Sequence, residues 1–386
     1  MQKLIYADNA ATTPLSENAL AAMQPYLTTE FGNPSALYGP GRRARRAVEQ
    51  ARDDIAACLG AEPEEIAFTA CGTESDNWAI KGIARCQAEN GKKHIITSAF
   101  EHHAVLHACK ALAHYGFHVT YLPVSAEGYV SPQELEAAIT ENTALVSIMF
   151  ANNELGTVQP IEKLADVCKK HGVPFHSDAV QAAGHLPIDV HRQNIGLLSL
   201  SAHKFGGPKG TGVLYIRRNL HPSPLMDGGA QEQGRRGGTE NIAGIVGMAA
   251  ALKGRTASLE ADAARVSALR DRLESGLLFA VPGCHRNGGD SRLPGHLNLR
   301  FDGIEGESLL LMLDQAGICA SSGSACTAGS IDPSHVLQAI GLSKEQARSS
   351  LRLSLGVQNT EADVERLLQV IPEVVSKLRS FQPFAK

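Results

Sequence analysis

The feature that most constrains this chain is an alternation. Short, almost uninterrupted apolar runs occur at Ile66–Thr69, His94–Ser98, His118–Leu122, Thr143–Phe150, Pro174–Ser177, Leu197–Ser201 and Gly212–Ile216. Between several of them lie stretches with helical spacing, such as Gln133–Ile139 and Ile161–His171. A strand that is apolar at successive positions is covered on both faces, and intervening helices supply the cover. The pattern predicts an α/β fold on a largely parallel central sheet, in which ligands gather at the carboxyl ends of strands. Beyond about residue 255 the pattern changes. Val266, Leu269, Leu273 and Leu277 mark one face of a helix, His296–Phe301 reads as a short strand, and Val364–Phe381 as a closing amphipathic helix. This predicts a second, smaller α/β domain.

Composition excludes several classes. With 386 residues, 43% hydrophobic and 20% charged, the chain can bury a full core and is not a disordered tail. The 36 basic and 40 acidic residues leave a net charge of -4, which gives no electrostatic case for nucleic acid or membrane as partner. The basic run Arg42, Arg43, Arg45, Arg46 opens an expected helix and reads as a solvated face. No apolar run approaches the ~18 residues that span a bilayer, and the N-terminus lacks the apolar core of a secretory signal, so the expectation is a cytoplasmic protein. The eight cysteines include no Cys-x-x-Cys pair, and a chain of this size needs no disulfide staples.

Two segments resist regular structure. His221–Asn241 is rich in Gly and Pro, and Ala320–Pro333 runs Ala-Ser-Ser-Gly-Ser-Ala-Cys-Thr-Ala-Gly-Ser-Ile-Asp-Pro. Loops beyond ~12–15 residues are functional or disordered, and the small polar composition favours function.

The sharpest chemical signal is Ser201-Ala202-His203-Lys204 at the end of an apolar strand. Alone, Lys204 reads as a surface lysine. Asp178, with Gln181 close behind, ends another expected strand and changes that reading. Pyridoxal phosphate needs a lysine amine for its aldehyde, a carboxylate to keep its pyridine nitrogen protonated, and donors for its phosphate. Gly72 and Thr73 stand where the strand Ile66–Thr69 gives way to a helix, a position that favours an anion; the plain alternative is a capping turn without ligand. Ser201 and His203 add donors.

At this point the chain resembles a known family. Asp8-Asn9-Ala10-Ala11-Thr12-Thr13, Gly32-Asn33-Pro34-Ser35, Thr73-Glu74-Ser75-Asp76-Asn77, Glu101-His102-His103-Ala104-Val105, Asn152-Asn153-Glu154-Leu155-Gly156, Ser201-Ala202-His203-Lys204 and Ser321-Ser322-Gly323-Ser324-Ala325-Cys326 follow one another in order. Together they resemble the NifS/IscS-like cysteine desulfurases, within the class V aminotransferase group of pyridoxal phosphate enzymes, over nearly the whole chain. The resemblance implies the fold type I of pyridoxal phosphate-dependent transferases, with a large domain over 14–257 and a small one built from 1–13 and 258–386. It implies that Lys204 carries the cofactor, Asp178 meets its ring nitrogen, Gln181 its phenolic oxygen, and His102 stacks on the ring and acts as acid or base. Gly72, Thr73, Ser201 and His203 match the phosphate cradle, and Thr239 a phosphate ligand supplied by the other subunit of a homodimer. Asn153, which also neighbours the cofactor, and Arg352 match the residues that hold the substrate carboxylate, with Asn33 nearby. Cys326 matches the cysteine that accepts sulfur from L-cysteine and passes it to an acceptor such as an iron–sulfur scaffold or a tRNA-thiolation protein.

No metal is implied; Cys319, Cys326 and His335 would lack a fourth zinc ligand. Cys58 and Cys168 fit the setting of buried structural cysteines. Ala7, Tyr38 and Val357 depart from the family pattern, none at a residue assigned to chemistry. His103 is ambiguous beside His102, while His107 and His114 read as helix-surface residues. A selenocysteine lyase or other β-eliminating enzyme, and an inactive binding scaffold, are the competing functions. The complete Asp178, Gln181 and Lys204 set argues against the scaffold, and Cys326 in its loop against the lyase.

Overall fold

The computed structural model describes residues 4–322 and 333–381. The chain opens with β1 (Ile5–Tyr6), α1 (Glu17–Thr28) and α2 (Gly39–Leu59). Then strands and helices alternate: β2 (Ile66–Thr69), α3 (Gly72–Ala88), β3 (His94–Ser98), α4 (His103–Ala113), β4 (His118–Leu122), α5 (Pro132–Ala138), β5 (Thr143–Ser147), α6 (Ile161–Lys170), β6 (Phe175–Asp178), β7 (Leu197–Ser201) and β8 (Gly212–Ile216). These strands form one sheet in the order β2-β8-β7-β6-β5-β3-β4. Neighbours are parallel except at β8, which runs antiparallel to both β2 and β7. β2, β3, β5, β6, β7 and β8 are buried along their whole length, the polar residues of β3 and β6 included, and the edge strand β4 is partly exposed.

The expected strand Thr143–Phe150 leaves the regular ladder at Ser147. Beyond it Ile148 N and Phe150 N still donate to the carbonyls of His176 and Asp178, whereas the N–H of Met149 is taken by the buried carboxylate of Glu101.

The second half comprises α7 (Ile242–Ala280), β9 (Cys284–Arg286), β10 (His296–Phe301), α8 (Gly306–Gln315), β11 (Ile318–Cys319), α9 (His335–Ala339), α10 (Lys344–Arg348), β12 (Ser350–Ser354) and α11 (Glu361–Phe381). An antiparallel sheet in the order β12-β10-β9 is accompanied by a parallel pair, β1 with β11, so the N-terminus returns to this half. The helix expected around Val266–Leu277 is the second part of the 39-residue α7. Gly244 and Gly247 do not interrupt it. A Cβ on Gly247 would lie 2.5 Å from Met23 Cγ, so the glycine lets α1 pack closely. Ile245, Met248 and Leu252 of α7 join the core of the large sheet, whereas Val266, Leu269, Leu273 and Leu277 join a separate core with β10, β12 and α11.

The segment His221–Asn241 contains only a short turn, Gln231–Gly234, and is pinned by a buried ion pair. The Glu232 carboxylate accepts from Arg52 Nη1 and Nη2 on α2 and from Phe68 N on β2, all at 2.9 Å. Holding this geometry forces Glu232 and Gln233 into left-handed backbone, at φ of 47° and 60°. Among the described residues, no helix is long and apolar enough to cross a membrane.

Candidate active site

A cavity of about 390 Å³ opens at the carboxyl edge of the large sheet. Lys204 reaches it from the turn after β7, Asp178 and Gln181 from the end of β6, and Asn153 from the segment after β5. His102 enters as the residue capping α4, Gly72 and Thr73 as the first turn of α3, and Ser201 and His203 from around the end of β7. Arg352, fully buried on β12, brings in the smaller sheet. Strand ends and helix starts thus converge on one volume, as the parallel topology dictates.

The lysine is held by backbone. Lys204 Nζ donates to the carbonyls of Ala10 at 2.7 Å and Ala11 at 2.8 Å, and Gln181 Nε2 donates to the same Ala10 carbonyl at 2.9 Å. His203 Nδ1 lies 3.1 Å from Thr12 Oγ1. The Thr13 hydroxyl donates to the His203 carbonyl and accepts from Gly206 N, which staples this N-terminal strip to the lysine turn. Arg352 is oriented by the Asn153 carbonyl at 3.0 Å and the Asp8 carboxylate at 2.7 Å. Its fork therefore rests partly on the same strip.

Electrostatics separate the groups. Burial pushes the Asp178 carboxyl up to about 6, against the N–H of Val180 at 2.9 Å and the charge of Lys204, which both pull it down. Burial, with Lys204 next, holds His102 down at about 4, so the ring is neutral. Because His102 Nδ1 accepts from Ala104 N at 3.2 Å, the proton of the neutral ring sits on Nε2. Burial likewise lowers His203 to about 4. At the start of α3, a Cβ on Gly72 would lie 2.6 Å from Val180 Cγ2, so this first helical turn approaches the β6 loop as only glycine can.

Not every expected residue reaches this cavity. Asn33 is exposed, its side chain accepting from Ser35 N, and it does not line the cavity. Thr239 lines a separate cavity of about 110 Å³ with Ala70 and Glu240. Cys326 lies outside the described residues. Of the other cysteines, Cys109, Cys168 and Cys284 are buried, and burial raises the Cys109 and Cys168 thiols to about 12; Cys58 is only half-buried. His103 lines the cavity, whereas His107 and His114 are exposed.

A family model for class-V aminotransferases matches residues 5–367. The chain is 54% identical over 382 residues to the cysteine desulfurase IscS of Methanosarcina thermophila, covering 99% of this chain and 94% of that protein. The chain belongs to the cysteine desulfurase family. A cysteine desulfurase of Nostoc sp. is 49% identical over 382 residues, 99% of this chain and 95% of that protein. Among solved structures, a NifS-like protein superposes with a TM-score of 0.92 at 40% identity, covering 97% of this chain and all of that one. SspA in complex with cysteine gives a TM-score of 0.81 at 42% identity, over 92% and 100% of the two chains. These likenesses carry the fold type I architecture with them.

Within this family fold, several cavity residues escaped the sequence reading. Ala10 and Ala11 act through carbonyl oxygens, and Asp8, outside the lining, holds Arg352. Asp76 and Glu154 also line the cavity, both buried. Asp76 falls in the second turn of α3, where an acidic residue is ordinarily read as solvated, and only its neighbours on β6 and β7 reveal it.

Proposed function

We propose that this chain removes sulfur from L-cysteine, using pyridoxal phosphate, and leaves L-alanine and a persulfide on Cys326. The observation that carries the reading is the convergence of Lys204, Asp178, His102 and Arg352 on one cavity. The residues fit the cofactor. Gly72 and Thr73 bring the first turn of α3 to the cavity, Ser201 and His203 add donors, and the carboxyl of Asp178 lines the same cavity as the flat neutral ring of His102.

When bound, pyridoxal phosphate supplies an electron sink for charge developing at the substrate Cα. Lys204 carries the amine that holds the cofactor and, once released, moves the Cα proton. Arg352 and Asn153 would orient the substrate carboxylate, and Gln181 would donate to the cofactor's phenolic oxygen. The Cys326 thiolate attacks the substrate sulfur, so that an S–S bond forms as the Cβ–S bond breaks. The electron pair of the broken bond stays with the carbon fragment, which is protonated to alanine. Thr239 completes the phosphate site of a second copy in a homodimer, and the persulfide passes to an acceptor protein such as an iron–sulfur scaffold. Residues 14–257 form the cofactor domain, and 1–13 with 258–386 the domain that carries the Cys326 loop.

Incubation with L-cysteine and a reductant, with alanine and sulfide measured together, tests the reading. Equal amounts of both products, abolished by Lys204→Ala, are expected. Turnover that survives Lys204→Ala refutes it.

A further inference from the structure

Of the two further buried carboxyls in the cavity, Glu154 accepts from the Ser334 hydroxyl at 2.6 Å, and Asp76 is left without a role. Asp76 is 1% exposed. One of its oxygens, one carboxylate oxygen of Asp178 and one ring nitrogen of His102 all lie within 4.8 Å of one another. We propose that Asp76 and Asp178 act as one carboxyl pair sharing a single proton, with Asp76 the member that keeps it, so that Asp178 presents one negative charge to the ring nitrogen of the cofactor. This rests on the reading that Asp178 meets that nitrogen. Asp76 is then a positioning residue, acting through Asp178.

The partners of the two carboxyls decide which one holds the proton. Asp178 accepts from Val180 N and lies in the field of Lys204, both of which favour its anion. Asp76 has less support: the Ser199 hydroxyl also favours its anion, but no backbone N–H and no cation acts on it. Its Oδ1 makes no hydrogen bond, and the nearest base, His176 Nε2, is 3.6 Å away. That imidazole is not a counter-ion, because the Ser147 and Ser199 hydroxyls occupy its nitrogens at 2.8 and 3.0 Å and burial holds it at about 3. The remaining neighbours add no positive charge. Glu101 is pushed up to about 8 by burial and bonds to Ser98 and Met149, His102 is neutral, and Cys71 lies at the start of the same helix. Burial first, and Asp178 next, raise the Asp76 carboxyl well above its ordinary value. Two buried like charges at this separation do not both persist, and the less supported one takes the proton.

The test uses the full-length protein in a Glu101→Gln background, which removes the carboxyl that burial raises to about 8. Infrared spectra at neutral pH should show a protonated-carboxyl band that Asp76→Asn abolishes and Asp178→Asn leaves in place. With pyridoxal phosphate bound, the acid transition of its visible absorption should stay at the same pH in Asp76→Asn, since an amide replaces a neutral group. Asp76→Asn should hold the cofactor within about tenfold of the parent. Absence of the band, its loss in Asp178→Asn, or an acid transition displaced to lower pH in Asp76→Asn would each overturn the proposal. Cofactor affinity indifferent to Asp178→Asn would refute the role given to Asp178, while the infrared band still reports the proton on Asp76.

Discussion

The ion pair between Arg52 and Glu232 gives the sharpest stability prediction. Both side chains are nearly inaccessible, at 4% and 3%. Glu232→Ala removes the acceptor of two guanidinium N–H groups and of Phe68 N. It leaves Arg52 with the Ile66 carbonyl at 2.8 Å, the Phe68 ring at 4.8 Å, and the exposed carboxylate of Glu49 at 3.4 Å. Breaking a buried pair on one side costs about 3–5 kcal/mol. The left-handed backbone at Glu232 and Gln233 stores about 1–3 kcal/mol each, and part of that strain is released when the anchor goes. The net loss is therefore about 2–3 kcal/mol. Urea unfolding followed by far-UV circular dichroism reads it as a lower midpoint at unchanged slope. The double variant Arg52→Met, Glu232→Leu should lose less than Glu232→Ala, because no charge is left buried alone. A single variant within about 0.5 kcal/mol of wild type, or a double variant worse than the single, would refute the reasoning.

Other perturbations probe the site. Cys326→Ala should still bind L-cysteine with a change in visible absorption yet form almost no alanine, a loss of orders of magnitude; alanine and sulfide at wild-type rates would indicate direct elimination. Gly72→Val should fold normally by circular dichroism but retain pyridoxal phosphate at least about tenfold less well, since the added Cβ meets Val180 and overpacks the turn. Glu101 titrates at about 8 in the folded chain against 4.5 when unfolded, so the folded state binds the extra proton and its contribution to stability falls as pH rises through that window. Glu101→Gln removes this slope, and its melting temperature relative to wild type should increase from about pH 6 to about pH 9; a flat difference would count against a buried neutral Glu101.

Much of the site was legible because strand ends are legible. β2, β3, β4, β7, β8 and β10 begin and end where their apolar runs do, and the parallel topology then places Gly72, His102, Asp178 and Lys204 along one edge. The first half of α7 was not, because Gly244 and Gly247 within its apolar stretch blur the helical spacing, and only the packing of Met23 against Gly247 shows their use. Arg352 has no local pattern that marks it, and it entered through the family resemblance alone. Asp76 was hidden by its place on a helix, where spacing speaks of faces but not of what a neighbouring strand presents. Asn33 and Thr239, which the resemblance assigns to the site, lie away from this cavity.

The strip from Asp8 to Thr13 bears on how such an enzyme is surveyed. The groups that grip Lys204 there are carbonyl oxygens of Ala10 and Ala11. A scan that replaces each residue with alanine passes over both positions, since they are alanine already. Substitution by other side chains would report on their bulk and never on the oxygens. The information at this end of the site is carried by the path of the main chain, so only chemistry that alters the backbone itself, such as an ester in place of a peptide link, would reveal how tightly the lysine is held.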